Sequence, residues 1–195
     1  MKTKVPKQNN VAVKYGEQER KERDWILFHK RKAVLEHRKM WKWIAHAIAV
    51  DKENMYDDIW NYKRDYIMTM ILLNEDLKKE AETEEERKHY DERITYYRQA
   101  KVNCDCFCCL FYFRYYNHAP QFEIINNRVT QECGNFCPVI WKHKLLNGTE
   151  VKNAYCGVSY YGVIANKAYH SEWKKCCKLA YKIAMLPERN IEAYV

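Results

Sequence analysis

The sequence predicts a mainly α-helical protein with a small zinc-stabilised α+β module in its second half. Two observations predict this fold class. Apolar residues recur at helical spacing up to about residue 103, and all nine cysteines lie between residues 104 and 177. The expected architecture is a helical N-terminal hairpin or bundle, short strands around the metal, and a closing C-terminal helix. We divide the chain into a basic flexible arm over 1–16, a helical region over 17–103 and a cysteine/zinc module with its closing helix over 104–195.

The first long helix is expected from about Glu17 to Ala49. Its apolar stripe repeats at every seventh residue through Leu27, Val34, Trp41 and Ile48. Three further apolar residues widen the stripe: Phe28, Leu35 and Ile44. Most of the charge on this helix is basic, and the first 50 residues carry 13 Lys and Arg against 5 Asp and Glu. A basic end followed by an acidic middle region polarises the field of the protein, which favours an acidic partner at one end.

Two further helices are predicted before the cysteines. The second should start at Asn54, a good N-cap, with an apolar face formed by Ile59, Tyr66, Met70, Leu73 and Leu77. The third opens at Thr83, which stands in capping-box relation to Glu86. Because the connections are short, these helices are expected to pack as an antiparallel hairpin or small bundle.

The module is expected to contain a hairpin and to end in a helix. The dipeptide at 147–148, Asn-Gly, is a strong tight-turn signal between Leu145-Leu146 and Thr149-Glu150-Val151 and predicts a small hairpin. A last helix is predicted from Ser171 to Met185, with one face made of Trp173, Cys177, Ala180 and Ala184. This helix should pack on the first one, because both have an aromatic-rich stripe to bury.

Clustered cysteines in a cytosolic protein argue for metal before disulfides, and an odd number fits a closed disulfide framework poorly. Two residues separate Cys106 from Cys109, the spacing at which a turn directs both sulfurs to one ion. Three residues separate Cys133 from Cys137, and Cys156 precedes a glycine. The expected cofactor is a structural Zn²⁺ held by four of these five thiolates, which leaves no open position for Lewis-acid chemistry.

Other residues near this cluster have competing interpretations. Cys104 and Cys108 are expected to be bystanders if their segment is extended, and Cys177 is expected in the core beside Cys176. His118 or His143 can replace a thiolate. The aromatic run at 110–118 either stacks on unpaired bases or buries one face of a strand.

Several of these motifs resemble a known group. CFCCLFY at 106–112, CPV at 137–139, NG at 147–148 and CG at 156–157, with WKWI at 41–44, look like small bacteriophage-encoded zinc-binding proteins, which are mostly uncharacterised. The second cysteine pair departs from their pattern by one extra intervening residue, and residues 50–103 look like an added helical segment. The resemblance implies a phage origin and a structural zinc, and it implies no activity.

The expected function is non-enzymatic, with no catalytic residue, because the chain lacks phosphate-loop, zinc-protease and serine-hydrolase motifs. The first hypothesis is a zinc-stabilised phage accessory protein that binds nucleic acid or a host nucleoprotein complex. The alternative is an inhibitor of a host enzyme or defence complex that binds an acidic protein surface. A purely structural phage component is a third option.

The candidate contacts with either partner are basic side chains on the first helix and in the module: Arg31, Lys32, Arg38, Lys39 and Lys42, then Arg114, Lys142 and Lys144. The chain is expected in the host-cell cytoplasm, since no apolar run is long enough to span a membrane and no secretory signal is visible. A membrane partner and a small-molecule substrate are not expected.

Overall fold

The computed structural model describes residues 9–50, 59–102, 107–111, 137–144, 150–152 and 172–190, and this part of the chain is mainly helical, as predicted. The helices and strands run in the order α1 (Asn9–Val50), α2 (Ile59–Glu80), α3 (Glu84–Val102), β1 (Lys142–Lys144), β2 (Glu150–Lys152) and α4 (Trp173–Ala184). Residues 107–111 form a short additional helical segment.

Helix α1 begins at Asn9, so residues 9–16 of the predicted arm are helical. Once a helix is nucleated, each further residue adds a hydrogen bond at little cost, and a start without apolar periodicity is therefore hard to place from sequence. The predicted stripe is correct for Val34, Trp41, Ile44 and Ile48, which are all buried.

Two positions of that stripe were assigned wrongly. Phe28 is 62% exposed and Leu35 is 55% exposed. Each directly follows a stripe residue in the sequence, and one residue turns the helix by about 100°. That rotation carries both side chains out of the interface and onto the solvent side of α1.

Helices α2 and α3 form the predicted antiparallel hairpin, and the capping box between them is confirmed. The Glu86 carboxylate accepts the backbone N–H of Thr83 at 3.0 Å, and the Glu86 N–H donates to the Thr83 hydroxyl at 3.2 Å. The predicted N-cap of α2, Asn54, lies outside the described residues. Leu73, predicted on the buried face of α2, is 48% exposed, and that face contains Tyr62, Ile67 and Ile71 instead.

Helix α4 packs against α1, as the sequence predicted. The Cys177 thiol donates to the backbone oxygen of Ala45 at 3.3 Å. Ala180 and Ala184 are fully buried in this interface, and Trp173 packs against the same core. Small residues on α4 allow the two helix backbones to approach closely.

The helical segment at 107–111 fills the space between α2 and α3. Phe107 is fully buried, stacks on Tyr96 with ring centroids 5.6 Å apart and meets Tyr97 edge-on at 5.7 Å. The expectation of an extended segment here was wrong, because the buried residues Phe107, Leu110 and Phe111 follow helical spacing. Cys108 is buried in the same core, and the rest of the aromatic run, 112–118, lies outside the described residues.

Strands β1 and β2 form the predicted hairpin as an antiparallel pair in which Lys144 faces Glu150. This register leaves the five residues 145–149 between the paired ends. A two-residue Asn-Gly turn would pair residue 146 with 149, so the observed register differs from that of a tight turn by one residue.

The segment that contains Cys137 is tied to the residues that follow α4. Ile140 N–H donates to the Pro187 oxygen at 2.8 Å, and Arg189 N–H donates to the Pro138 oxygen at 3.0 Å. These backbone bonds hold the cysteine segment next to the α1–α4 pair.

The capping box makes the stability of α3 dependent on pH. Hydrogen bonds from the Thr83 backbone and side chain hold the pKa of Glu86 below its usual range. A group with a lowered pKa stabilises the fold above its unfolded value, about 4.3 for Glu, and this stabilisation is lost as pH falls through the lower folded value. We therefore expect Glu86→Gln to lower Tm at neutral pH, with the difference vanishing in acid.

Thermal unfolding from neutral to acidic pH measures this difference. Glu85→Gln is the matched control, since Glu85 lies exposed in the same helical turn and makes none of the box contacts. A Tm difference between the wild type and Glu86→Gln that stays constant across the pH range would contradict the prediction.

Candidate functional site

The predicted partner-binding residues of α1 divide into two groups in the structure. Arg31 and Lys42 are exposed, and neither forms an ion pair within the described part of the chain. Arg38 instead pairs with Glu188 at 3.2 Å, and the ammonium of Lys32 lies 4.2 Å from the centre of the Tyr96 ring. Both of these side chains are half-buried contacts of the fold.

Lys39 is exposed, like Arg31 and Lys42, but it has a partner within the fold, like Lys32 and Arg38. Its ammonium lies 2.9 Å from a carboxylate oxygen of Glu36, which is buried against α2 and α3. The sequence analysis named all five basic residues of α1 as candidate partner contacts, and the structure also places three of them in contacts within the fold. The partners of Lys32 and Arg38 come from distant parts of the chain, which helical spacing does not reveal, whereas Glu36 lies three residues before Lys39 on the same helix.

Three exposed cations of α1 share one side of the helix with two exposed apolar side chains. Five residues at spacings of three and four recur along one side of the helix, and we call them the outer face of α1: Phe28, Arg31, Leu35, Lys39 and Lys42. Such spacing aligns side chains along one face of a helix. From the first to the last, this face extends about 21 Å along the helix axis.

The remaining predicted contacts lie in the module. Lys142 and Lys144 are the two ends of β1 and pair with Lys152 and Glu150 of β2. Arg114 lies outside the described residues.

Two of the five candidate metal ligands are described. Cys109 is half-buried and follows the buried Cys108 in the short helical segment. Cys137 is buried, its sulfur accepts the indole N–H of Trp141 at 3.3 Å, and its backbone oxygen accepts the Arg189 side chain at 2.9 Å. A fixed N–H donor to sulfur is the kind of outer contact that orients thiolate ligands in metal sites.

The ligand set as a whole is not assembled in the described residues. Cys106, Cys133 and Cys156 lie outside them, and so do His118 and Cys104. Across the ranges that the structure describes, no three His, Cys, Asp or Glu side chains converge in a way that would hold a metal ion. His143 lies on β1, and its ring is not among the described side chains.

A buried histidine that the sequence analysis missed joins α1 to α4. His37 is fully buried, and its Nε2 lies 3.1 Å from the backbone oxygen of Ile183. Since a carbonyl only accepts, Nε2 carries the proton, and Nδ1 has no hydrogen-bond partner within the described ranges. The ring meets Trp141 edge-on, with centroids 6.1 Å apart. Its position three residues after Val34 and four before Trp41 was the available sequence signal.

Burial disfavours the reactive form of the two cysteines of α4. It raises the pKa of the Cys176 thiol and also that of the Cys177 thiol. A raised pKa works against the thiolate, which is the form that attacks a substrate. Cys176 is the more deeply buried of the two, whereas the sequence favoured Cys177 as the core residue.

Lysines on α4 form a second basic surface that the sequence analysis did not single out. Lys174, Lys178 and Lys182 are exposed and recur at every fourth residue, a spacing that was visible in the sequence.

No described helix is long and apolar enough to cross a membrane.

The two groups of α1 cations should respond differently to charge reversal. Lys39→Glu removes an ion pair and places a carboxylate beside the buried Glu36, so we expect a loss of roughly 1 kcal/mol, at the upper end for surface pairs, and a lower Tm. Lys42→Glu, three residues further along the same face, should leave Tm within about 1 °C. Urea and thermal unfolding of the two variants test this. Equal stability of both would show that the Glu36 contact does not matter.

The chain matches no protein-family model, no curated protein and no solved structure. The resemblance to phage-encoded zinc-binding proteins therefore has no support beyond its motif residues. A functional proposal for this chain therefore depends on the charges, exposure and contacts of its described side chains.

Proposed function

We propose that the protein is a non-enzymatic nucleic-acid-binding protein whose α1 outer face contacts the phosphate backbone. One observation carries this proposal: Arg31 and Lys42 are exposed and form no ion pair in the described part of the chain. Cations without a carboxylate partner retain their full attraction for an external polyanion. The formal net charge of +8 acts in the same direction.

The shape of α1 suits an extended polyanion. The outer face is a line of side chains along one helix, and its cations are spread over about three helical turns. Phosphates repeat regularly along a nucleic acid, so a row of cations can meet several of them at once. Phe28 and Leu35, both exposed on the same face, supply apolar contact with sugars or bases.

A structural Zn²⁺ in the cysteine module is part of the same proposal. The Cys137 sulfur already receives an N–H from Trp141, and its segment is tied by backbone bonds to residues 187–189. Zinc bound in a closed thiolate site there would contribute its binding free energy to folding. We also propose a phage origin, which the cysteine motifs imply, and a role in the host cytoplasm.

A second candidate is an inhibitor that binds an acidic surface of a host enzyme or defence complex. The exposure of Phe28 beside Arg31 favours it, since aromatic residues and arginine are common anchors of protein interfaces. The two candidates differ in what they retain after nuclease treatment. A pull-down from host lysate with and without nuclease should lose the partner in the first case and keep it in the second.

Charge reversal on the outer face tests the nucleic-acid proposal. The double variant Arg31→Glu/Lys42→Glu should bind labelled DNA and RNA oligonucleotides at least about tenfold more weakly at moderate salt. It should also reduce the slope of log affinity against log salt by about two, one for each lost phosphate contact. Fluorescence anisotropy between about 50 and 200 mM salt measures both quantities.

The matched control is Lys79→Glu/Lys88→Glu, which changes the net charge equally on the exposed surfaces of α2 and α3. It should bind almost as the wild type does. If wild-type affinity does not change between low and moderate salt, the protein is not a phosphate-contacting nucleic-acid binder. If the control loses as much affinity as the α1 variant, net charge and not the outer face is responsible.

Metal content tests the zinc proposal. Cys109→Ser should release zinc and lower Tm, because a serine hydroxyl does not replace a thiolate ligand. Cys177→Ser is the control, since its thiol donates to Ala45 and a hydroxyl can do the same. Elemental analysis and thermal unfolding of the purified proteins give the result. Stoichiometric zinc in Cys109→Ser would remove this cysteine from the ligand set, and a wild type without zinc would end the proposal.

A further inference from the structure

The buried His37 uses one of its two ring nitrogens within the described part of the chain. Its Nε2–H donates to the backbone oxygen of Ile183 on α4 at 3.1 Å. Its Nδ1 has no hydrogen-bond partner within the described ranges, although the residue is 0% exposed. Most buried polar groups in proteins are paired, so an unpaired one requires an explanation. In this tautomer the neutral imidazole presents a lone pair at Nδ1.

The hydrogen bond to Ile183 leaves the imidazole in the state that a zinc ligand requires. A histidine binds a metal as the neutral ring, and it almost always donates its other N–H to a carboxylate or a backbone carbonyl. That donation fixes the tautomer and the orientation of the ring. In His37 the Ile183 carbonyl has this role, so the ring is already oriented and its Nδ1 lone pair remains unused.

A candidate zinc ligand belongs to the same buried cluster as His37. The Trp141 ring meets the His37 ring edge-on, with centroids 6.1 Å apart, and its indole N–H donates to the Cys137 sulfur at 3.3 Å. Trp141 therefore contacts both the imidazole and the thiol. Cys137, Trp141 and Ile183 are members of one core of buried residues.

Contacts after α4 bring the Cys137 segment to the stretch of chain that accepts His37. Arg189 donates from its side chain to the Cys137 oxygen at 2.9 Å and from its backbone N–H to the Pro138 oxygen at 3.0 Å. Arg189 follows Ile183, the acceptor of the His37 ring, closely in the sequence. The thiol and the imidazole are thus held against the same end of α4 by independent hydrogen bonds.

Two other buried side-chain atoms lack a hydrogen-bond partner in the described residues, and neither suits zinc. The Nε of Arg38 is a donor on a permanently charged guanidinium and has no lone pair to offer. The Oδ1 of Asn74 lies on α2, and amide oxygens are ligands of hard cations such as Ca²⁺. Of the three atoms, the His37 Nδ1 is the one with the chemistry of a zinc ligand.

We propose that His37 binds the zinc of the cysteine module through Nδ1, so that the ligand set is one imidazole and three thiolates, with Cys137 among the three. This inference rests on the proposed structural zinc and names a ligand for it from outside the module. Three cysteines and one histidine are a common closed set for structural zinc. Because His37 belongs to α1, the metal joins the long first helix to the second half of the chain.

X-ray absorption at the zinc edge of the purified full-length protein counts the ligands. Sulfur lies about 2.3 Å and nitrogen about 2.0–2.1 Å from zinc, which distinguishes the two. We expect three sulfurs and one nitrogen in the wild type. His37→Gln should lose the nitrogen and bind zinc at least about 100-fold more weakly, since loss of a group that only orients a ligand already costs about 10–100-fold. Competition with a chelator measures the affinity.

Glutamine is chosen at position 37 because its side-chain amide can still donate to the Ile183 oxygen, whereas it offers no imidazole to the metal. Thermal unfolding shows whether His37→Gln is folded. His46→Gln is the matched control, since it makes the same change at an exposed position of the same helix. It should leave both the zinc affinity and the ligand count as they are in the wild type.

A second variant makes the test independent of the folding of His37→Gln. The triple variant His118→Gln/His143→Gln/His170→Gln removes the histidines of the cysteine module. It should still show three sulfurs and one nitrogen. A nitrogen that is lost in this variant would assign the imidazole to the module and overturn the inference.

The remaining outcomes also decide the inference. Four sulfurs in the wild type, or an unchanged nitrogen and affinity in a folded His37→Gln, overturn the His37 ligand and leave the structural zinc and the proposed function standing. A wild type without zinc rejects the ligand together with the zinc proposal. Nucleic-acid binding is decided separately, by the salt dependence of oligonucleotide affinity.

Discussion

A buried carboxylate on α1 holds the helical part of the molecule together. Glu36 accepts the Tyr97 hydroxyl at 2.8 Å and the Tyr66 hydroxyl at 3.3 Å, so one side chain connects α1 with both helices of the hairpin. Burial, reinforced by the Glu36 charge, raises the pKa of both tyrosines, which remain donors at physiological pH. A buried charge without such partners would be strongly destabilising. Together with the buried apolar stripe of α1, this requirement turns the Glu36 side of the helix towards α2 and α3.

The rotation of α1 decides what the molecule can offer to a partner. One side of the helix faces α2 and α3 through Glu36, and another faces α4 through His37, whose ring meets the Ile183 oxygen. The side that remains contains the outer face, where Arg31 and Lys42 point away from both neighbours. The proposed binding surface is therefore a consequence of how the core is satisfied. It combines unpaired cations with the exposed side chains of Phe28 and Leu35 because other residues of α1 form the two interfaces.

The proposed binding depends on cations that have no acidic partner within the described residues. On α1 and α4 alike, some lysines and arginines are neutralised by nearby acids, as Arg38 is by Glu188 and Lys175 is by Glu172. Those that remain, Lys42 and Lys178 among them, carry the attraction for an external anion.

Local sequence determined the features whose causes lie within a few residues. The capping box of Thr83 and Glu86, the seven-residue repeat through Val34 and Trp41 and the small-residue face of α4 each follow from side-chain chemistry at fixed spacing. Tertiary structure alone decided that Glu188 neutralises Arg38, that Phe28 and Leu35 face solvent, and which distant groups the buried Glu36 and His37 meet. The reason is that a helix between two neighbours has its faces assigned by contacts from distant parts of the chain, and the periodicity of one helix records only that an apolar face exists.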